Sequence, residues 1–203
     1  MVEYRLNIDE VCKRIQKALA EYKHELIFDH LQVMINPLFF GNSPIGFFDG
    51  AETNEKGGIG VEIKMSSGHN FKAHLSTGPG TNIRVELIVL WGVLFLSKSL
   101  GLQSLFIAED SKVVIDWFND KSALNVLMLQ PWKNKVKELG ASFTQIQAFH
   151  IQRIFNKHAD TLSKEGLHNN FGVFFVEEFV QDERINNSYF SLFLGIEPKF
   201  LFC

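Results

Sequence analysis

A run of ten consecutive apolar residues, 87–96 (LIVLWGVLFL), limits most strongly what this chain can fold into. A helix that crosses a bilayer needs roughly 20 apolar residues, so this run is too short to span a membrane. Because it is apolar on every side, a helix made from it is stable only when it is buried inside a fold. The run therefore predicts a buried helix and gives no sign of a membrane partner.

The period of the apolar residues is different before this helix. Residues 58–65 and 71–76 alternate apolar with polar side chains, which is typical of half-buried strands. Residues 45–52 are predicted to form a further strand that ends in a turn. Short turn-forming segments separate the three strands, so we expect an antiparallel meander.

The rest of the pattern alternates helices with strands. We predict a helix over 83–100, a strand over 103–110, helices over 111–120 and 131–140, a strand over 143–151 and a last helix from about 156. Three adjacent strands followed by alternating helices and strands indicate a mixed five-stranded sheet with helices on both faces. The predicted fold class is therefore α/β.

The two ends of the chain differ from this central part. Residues 1–44 are predicted to be an N-terminal helical extension, over 1–35, and a linker punctuated by prolines and a glycine. Residues 169–203 form a C-terminal extension rich in phenylalanine, whose structure the pattern does not define. The predicted domain occupies residues 45–168.

Composition excludes several classes of protein. Cys12 and Cys203, at opposite ends, provide neither a disulfide framework nor a zinc-binding spacing. The net charge of −3 argues against a broad nucleic-acid surface, although a local basic groove or a metal-bridged contact with phosphate is compatible with it. The charged N-terminus has no secretory signal, so we expect an intracellular protein, in nucleus or cytoplasm, with an organelle not excluded.

Four acidic residues occupy positions where α/β folds build sites. Asp49 and Asp110 end the first and fourth predicted strands, Glu86 lies in the first turn of the buried helix, and Asp160 borders the apolar stripe of the last helix. Carboxylates that converge without nearby lysine or arginine repel one another unless divalent cations hold them together. Ligation by oxygen alone suits Mg²⁺ or Mn²⁺.

Several segments, taken in order, resemble the ribonuclease H type 1 family: FFDGA, GGIGVEI, TNIRVELIVL, EDSKVVIDW and FHIQRIFNKHADTLSK. The resemblance covers about residues 45–167 and is greatest to the reverse-transcriptase-like branch found in plant non-LTR retroelements and plant host proteins. It implies the ribonuclease H-like fold, with the five strands in the order 3-2-1-4-5. It also implies that Asp49, Glu86, Asp110 and Asp160 are the catalytic, metal-binding set of the family.

The resemblance further implies a metal-dependent endonuclease that hydrolyses the RNA strand of an RNA–DNA hybrid. The family uses two Mg²⁺ ions, with Mn²⁺ as a possible substitute, to clamp the scissile phosphate. Contacts with 2′-hydroxyls select RNA, and the hybrid is recognised by its shape. The family positions that contact substrate correspond to Gly50, Asn82, Ser111 and Asn156.

Departures from the family pattern support an alternative. The Asn-Pro-Gly turn usual after the first aspartate is replaced by ETNEKGG, and residues 119–130 lack the basic helical handle that grips substrate. The alternative is a retroelement-derived nucleic-acid-binding or scaffold protein with little turnover, for which a protein partner is possible. A related nuclease or integrase is a third interpretation, which the sequence HIQRIFNKHAD disfavours. Glu109 is predicted to point away from Asp110 and to have no role.

Overall fold

The computed structural model describes residues 43–66 and 68–191, together with the backbone of 199–200. The predicted N-terminal helix over 1–35 lies outside the described residues, and so do residues 36–42 of the predicted linker. The division of the chain into an N-terminal extension, a domain and a C-terminal extension remains a prediction.

The strands of the described residues form one sheet, with a central group of five strands and a C-terminal group of three. The strands are β1 (Ile45–Glu52), β2 (Gly57–Ser66), β3 (His69–Gly78), β4 (Ser104–Glu109), β5 (Gln145–His150), β6 (Val173–Val180), β7 (Glu183–Ser191) and β8 (Lys199–Phe200). Their order is β5-β4-β1-β2-β3-β6-β7-β8. β1, β2 and β3 pair antiparallel, whereas β4 pairs parallel with both β1 and β5. The predicted meander and the order 3-2-1-4-5 are confirmed.

Helices cover both faces of the central strands, as predicted. They are α1 (Asn82–Ser99), α2 (Lys112–Phe118), α3 (Gln130–Ala141) and α4 (Lys157–Gly166). On one face, the Val93 side chain of α1 lies 2.6 Å from where a Cβ on Gly46 would project. On the other, the Ala159 carbonyl oxygen and the Ser163 amide nitrogen of α4 each lie 2.3 Å from the corresponding position on Gly60. A side chain at Gly60 would therefore push α4 off the sheet.

The apolar run in α1 forms the centre of the core. The side chains of Leu87, Val89, Leu90 and Leu94 are fully buried, because α1 contacts β1 and β2 on one side and α3 on another. Removing such a side chain from water contributes about 1.5–3 kcal/mol. Gly101, with φ of 79°, follows the helix and allows the chain to reverse into β4. No helix in the described ranges is long and apolar enough to cross a bilayer.

The sheet has more strands than the five predicted, because much of the segment predicted as a C-terminal extension adds to it. β6 pairs antiparallel with β3 and covers its edge, and β7 and β8 continue the sheet outward. Gln181 and Asp182, with φ of 51° and 64°, form the two-residue turn between β6 and β7. Phe174 is fully buried, so this hairpin contributes to the same core. The sequence of β6, VFFVEEFV, does not alternate cleanly between apolar and acidic residues, so it does not indicate a strand.

Candidate active site

Two of the predicted acids meet at one edge of the sheet. Asp49 lies in the second half of β1, and Asp110 directly follows the last residue of β4. Because β1 and β4 are parallel neighbours, their carboxyl ends lie side by side. Glu86 comes from α1, and it is the fifth residue of that helix rather than part of the first turn, because α1 begins at Asn82. Asp160 lies in the first turn of α4.

A third acid, Glu109, joins Asp49 and Asp110, contrary to the prediction that it points away from Asp110. One carboxylate oxygen each from Asp49, Asp110 and Glu109 lies within 4.8 Å of the other two. Glu109 was expected to face away from Asp110 because neighbours on a strand alternate. The strand ends at Glu109, however, so the alternation does not extend to Asp110. Oε1 of Glu109 accepts a hydrogen bond of 3.1 Å from the backbone N–H of Ser111, which holds the side chain at the strand end.

Burial and mutual repulsion raise the pKa values of this cluster. Burial, followed by the charges of Asp49 and Asp110, raises the pKa of Glu86 to about 8. Burial also raises the pKa of Asp49 to about 6, against the effect of a hydrogen bond from Ser163. The pKa of Glu109 is well above its ordinary value because of burial, the charge of Glu86, and a contact with Asp110 that becomes a hydrogen bond only when a proton is shared. Glu86 therefore keeps its proton near neutral pH, and a cation bound beside it would favour the ionised form.

Two buried carboxylate oxygens of the cluster have no hydrogen-bond partner in the described residues. Oε2 of Glu86 and Oε2 of Glu109 are buried and have no hydrogen-bond partner among the described residues. Glu62 Oε2, in the same sheet, also lacks a hydrogen-bond partner but differs in having cationic side chains nearby. Glu62 is 1 % exposed, but Lys64 Nζ and His158 Nδ1 lie 3.7 and 3.4 Å from its Oε2. A buried carboxylate oxygen without such a partner is costly, and a divalent cation removes the cost. An oxygen-only set of donors fits Mg²⁺ or Mn²⁺.

Asp160, in contrast, is engaged by cationic side chains. Arg153 Nη2 lies 2.8 Å from its Oδ1, and Lys164 Nζ lies 2.5 Å from its Oδ2. Burial alone would raise the pKa of Asp160, but the hydrogen bonds from Lys164 and Arg153 outweigh it and lower that pKa. Arg153 Nε also lies 4.0 Å from Asp110 Oδ2, so this arginine bridges the two aspartates. Arg153 and Lys164 thus pair with both oxygens of Asp160, the carboxylate that was predicted to bind a metal cation.

Two uncharged side chains position the acids. Ser163 Oγ lies 2.7 Å from Asp49 Oδ2, and Asn156 Nδ2 donates to Asp110 Oδ1 at 3.2 Å and to the Phe48 carbonyl oxygen at 2.8 Å. Ser163 was not predicted as a site residue, although its spacing from Asn156 and Asp160 could have indicated it. Residues 156, 160 and 163 are spaced four and three apart, so the N-cap residue Asn156 and two residues of α4 lie on one side of that helix.

The residues predicted to contact substrate lie around this cluster in different settings. Gly50 follows Asp49 on β1, and a Cβ there would lie 3.0 Å from the Val85 side chain. Asn82 is exposed at the start of α1, and Ser111 precedes α2. Asn156 is 1 % exposed, so its side chain serves the interior of the site. Contact of these four residues with substrate remains a prediction.

Comparisons with known proteins agree with this architecture. A family model described as reverse transcriptase-like matches residues 47–166. Ribonuclease H1 from the halophilic archaeon Halobacterium salinarum superposes with a TM-score of 0.58 at 24 % identity, over 61 % of this chain and 96 % of that one. LC11 ribonuclease H1, in complex with an RNA/DNA hybrid, superposes with a TM-score of 0.57 at 20 % identity, over 62 % and 96 %.

The N-terminal ribonuclease H domain of a Mycobacterium tuberculosis protein gives a TM-score of 0.55 at 20 % identity, over 61 % of this chain and 92 % of that one. No curated protein matches the chain in sequence. At these identities the solved structures establish the fold, and the family model establishes the relationship. The chain belongs to the reverse transcriptase-like family and has the ribonuclease H fold.

Proposed function

We propose that this protein is a metal-dependent endonuclease that hydrolyses the RNA strand of RNA–DNA hybrids. The observation that carries the proposal is the meeting of Asp49 and Asp110 at the ends of two parallel strands, with oxygen atoms within 4.8 Å. Glu86 is close enough for their charges to raise its pKa, and it has a buried unpaired oxygen. Membership of the family and the ribonuclease H fold support the same conclusion.

Asp49, Glu86, Asp110 and Asp160 would hold two Mg²⁺ ions, for which Mn²⁺ can substitute. When bound, the cations neutralise the carboxylates and polarise the scissile phosphate and the attacking water. The chain's own contribution is positioning. Ser163 fixes the carboxylate of Asp49, and Asn156 ties Asp110 to the backbone of β1.

Substrate recognition is proposed to depend on the mouth of this site. Arg153 is 73 % exposed beside Asp160, where its guanidinium can reach a phosphate of the backbone. Gly50, Asn82 and Ser111 would contact the hybrid, whose 2′-hydroxyls distinguish its RNA strand. The solved relative LC11 ribonuclease H1 was captured with an RNA/DNA hybrid, which supports this class of substrate.

The proposal is tested with a labelled RNA–DNA hybrid incubated with purified full-length protein and Mg²⁺ or Mn²⁺. Wild type should cleave only the RNA strand, leaving 5′-phosphate and 3′-hydroxyl ends, and Asp110→Asn should not cleave. Asp182→Asn, in the turn between β6 and β7, should cleave like wild type because asparagine tolerates its φ of 64°. Failure of the folded wild type to cleave with either metal would contradict the proposal. Tight hybrid binding without cleavage would then favour the alternative, a nucleic-acid-binding protein with little turnover.

A further inference from the structure

Glu109 is a second buried glutamate in the candidate site, beside Glu86. Its side chain is 0 % exposed at the end of β4, and it is not among the four acids that the family pattern identifies. Burying a carboxylate is costly unless it gains a partner for each of its oxygen atoms. Glu109 therefore needs a reason to be where it is.

The contacts of Glu109 account for only half of its carboxylate. Oε1 accepts the backbone N–H of Ser111 at 3.1 Å. Oε2 is buried and has no hydrogen-bond partner within the described part of the chain, and the contact of Glu109 with Asp110 is a hydrogen bond only when the two carboxyl groups share a proton. Glu62 is approached by the cationic side chains of Lys64 and His158, whereas Glu109 forms no ion pair with a cationic side chain of the described residues. A structural role at the strand end needs only the Oε1 contact, and a smaller polar side chain provides that at lower cost.

The direction of the side chain supplies the missing reason. A carboxylate oxygen of Glu109 lies within 4.8 Å of oxygens from Asp49 and from Asp110. Carboxylates at this separation repel one another strongly when they are ionised. Three of them surrounding one point provide a set of oxygen donors for a hard divalent cation. Neither Glu86 nor Asp160 completes such a group of three with Asp49 and Asp110 in the described residues.

We infer that Glu109 is an additional carboxylate ligand of a divalent cation, which it binds together with Asp49 and Asp110. This inference deepens the proposed function and rests on it in one respect, namely that cations bind at the strand ends. The set of acids at the site then has five members. The added negative charge offsets more of the charge of the cations, so we expect this protein to retain them at lower free concentrations than a four-carboxylate site does.

The test is direct binding of Mn²⁺ to the full chain without nucleic acid, followed by the loss of the free-ion signal in electron paramagnetic resonance. Glu109→Gln keeps the size of the side chain and removes its charge. Glu109→Asp keeps the charge and shortens the reach. Both variants should weaken Mn²⁺ binding by at least ~10-fold, because the loss of even an outer-shell partner typically costs 10–100-fold in metal affinity.

Glu138, an exposed glutamate on α3, provides the matched controls. Glu138→Gln and Glu138→Asp should bind Mn²⁺ within about twofold of wild type, since exposed charges outside the site contribute little. Thermal unfolding in EDTA checks that each variant folds. Glu109→Gln should be at least as stable as wild type there, because it removes a buried repulsion.

Three results would overturn the inference. If Glu109→Asp binds Mn²⁺ as tightly as wild type, Glu109 acts through its charge and is not a ligand. If Glu109→Gln also binds normally, or if wild type binds no Mn²⁺, it has no part in a metal site. Hybrid cleavage is measured separately, so the two proposals can fail independently. A protein that binds Mn²⁺ through Glu109 but does not cleave hybrid would leave this inference standing and refute the proposed nuclease activity.

Discussion

Ser163 Oγ lies 2.7 Å from Asp49 Oδ2 and 2.8 Å from the backbone carbonyl oxygen of Asp160. A hydroxyl has one proton, so Ser163 donates to one of these acceptors, and the carboxylate is the stronger. Asp49 and Ser163 are both buried, and their contact joins β1 to α4. This contact both orients Asp49 and favours its charged form.

Replacing Ser163 should therefore change the pH dependence of hybrid cleavage. Burial raises the pKa of Asp49 and the hydrogen bond from Ser163 lowers it, and the net result is a pKa of about 6. In Ser163→Ala that pKa rises further, so the acid limb of the pH–rate profile should move to higher pH. The loss of rate should be large in mildly acidic buffer and small in alkaline buffer. Ser99→Ala, on the exposed surface of α1, is the control. An acid limb that does not move would show that Asp49 does not control the rate.

Glu86 should make the metal-free protein less stable as the pH rises. The pKa of Glu86 is about 8 in the folded protein and 4.5 ordinarily, so between these values the folded state holds a proton that the unfolded state has lost. Stability associated with that proton is complete below about 4.5 and is lost as the pH approaches 8, with a slope of up to about 1.4 kcal/mol per pH unit. Glu86→Gln should flatten this fall.

The measurement is denaturant unfolding in EDTA at several pH values across that window. Glu138→Gln should keep the slope of wild type. Saturating Mn²⁺ should suppress the slope in wild type, because the cation stabilises the ionised form. An identical slope in Glu86→Gln and wild type would mean that Glu86 does not hold a proton in the folded protein.

Arg153 should compete with divalent cations for Asp160. Its guanidinium lies 2.8 Å from Asp160 Oδ1 and is 73 % exposed, so the ion pair is worth about 1 kcal/mol at most. Arg153→Ala should therefore tighten Mn²⁺ binding by up to roughly fivefold, as measured by calorimetry. It should also weaken hybrid binding and reduce its salt dependence, because one cation that can contact phosphate is lost. Arg184→Ala, which removes an ion pair on β7, should change neither property. Weaker Mn²⁺ binding in Arg153→Ala would refute competition.

The turn between β6 and β7 can be made more stable. Gln181 and Asp182 both have positive φ, a conformation that Asn-Gly adopts more readily. The double substitution Gln181→Asn, Asp182→Gly should stabilise the protein by about 1 kcal/mol and raise its Tm without altering cleavage. Asp182→Val should lower the Tm, because a β-branched residue tolerates positive φ poorly. A lower Tm for the Asn-Gly variant would show that the side chains of Gln181 and Asp182 stabilise the turn through contacts of their own.

The central strands and helices could be predicted because each has a clear period. The alternation in 58–65 and the all-apolar run 87–96 leave little choice of secondary structure, and both segments lie where expected. The strands of the C-terminal hairpin could not be predicted. In β6 an apolar VFFV is followed by two glutamates, and the pairing of β6 with β3 is set by contacts distant in sequence.

The acids of the site were partly accessible from sequence. Asp49 and Asp110 were predicted to converge because strand ends and family motifs coincide at these positions, and the structure brings them together. Glu109 was not identified because a difference of one residue in the end of β4 decides which way its side chain points. Electrostatic consequences, such as the orphaned oxygen of Glu86, depend on the packing around each carboxylate, which no sequence pattern states.

The seating of α4 on the glycines of β2 has a consequence for biosynthesis. Gly60 contacts Ala159 and Ser163, which lie about a hundred residues later in the chain. The hydrogen bond from Ser163 to Asp49 also joins residues distant in sequence. Closing so long a loop is slow, and a chain is synthesised at about 5–20 residues per second. The contact between Ser163 and Asp49 therefore cannot form in the nascent protein until α4 has left the ribosome. A partly synthesised chain carries most of the acids of the candidate site but not the serine that positions Asp49.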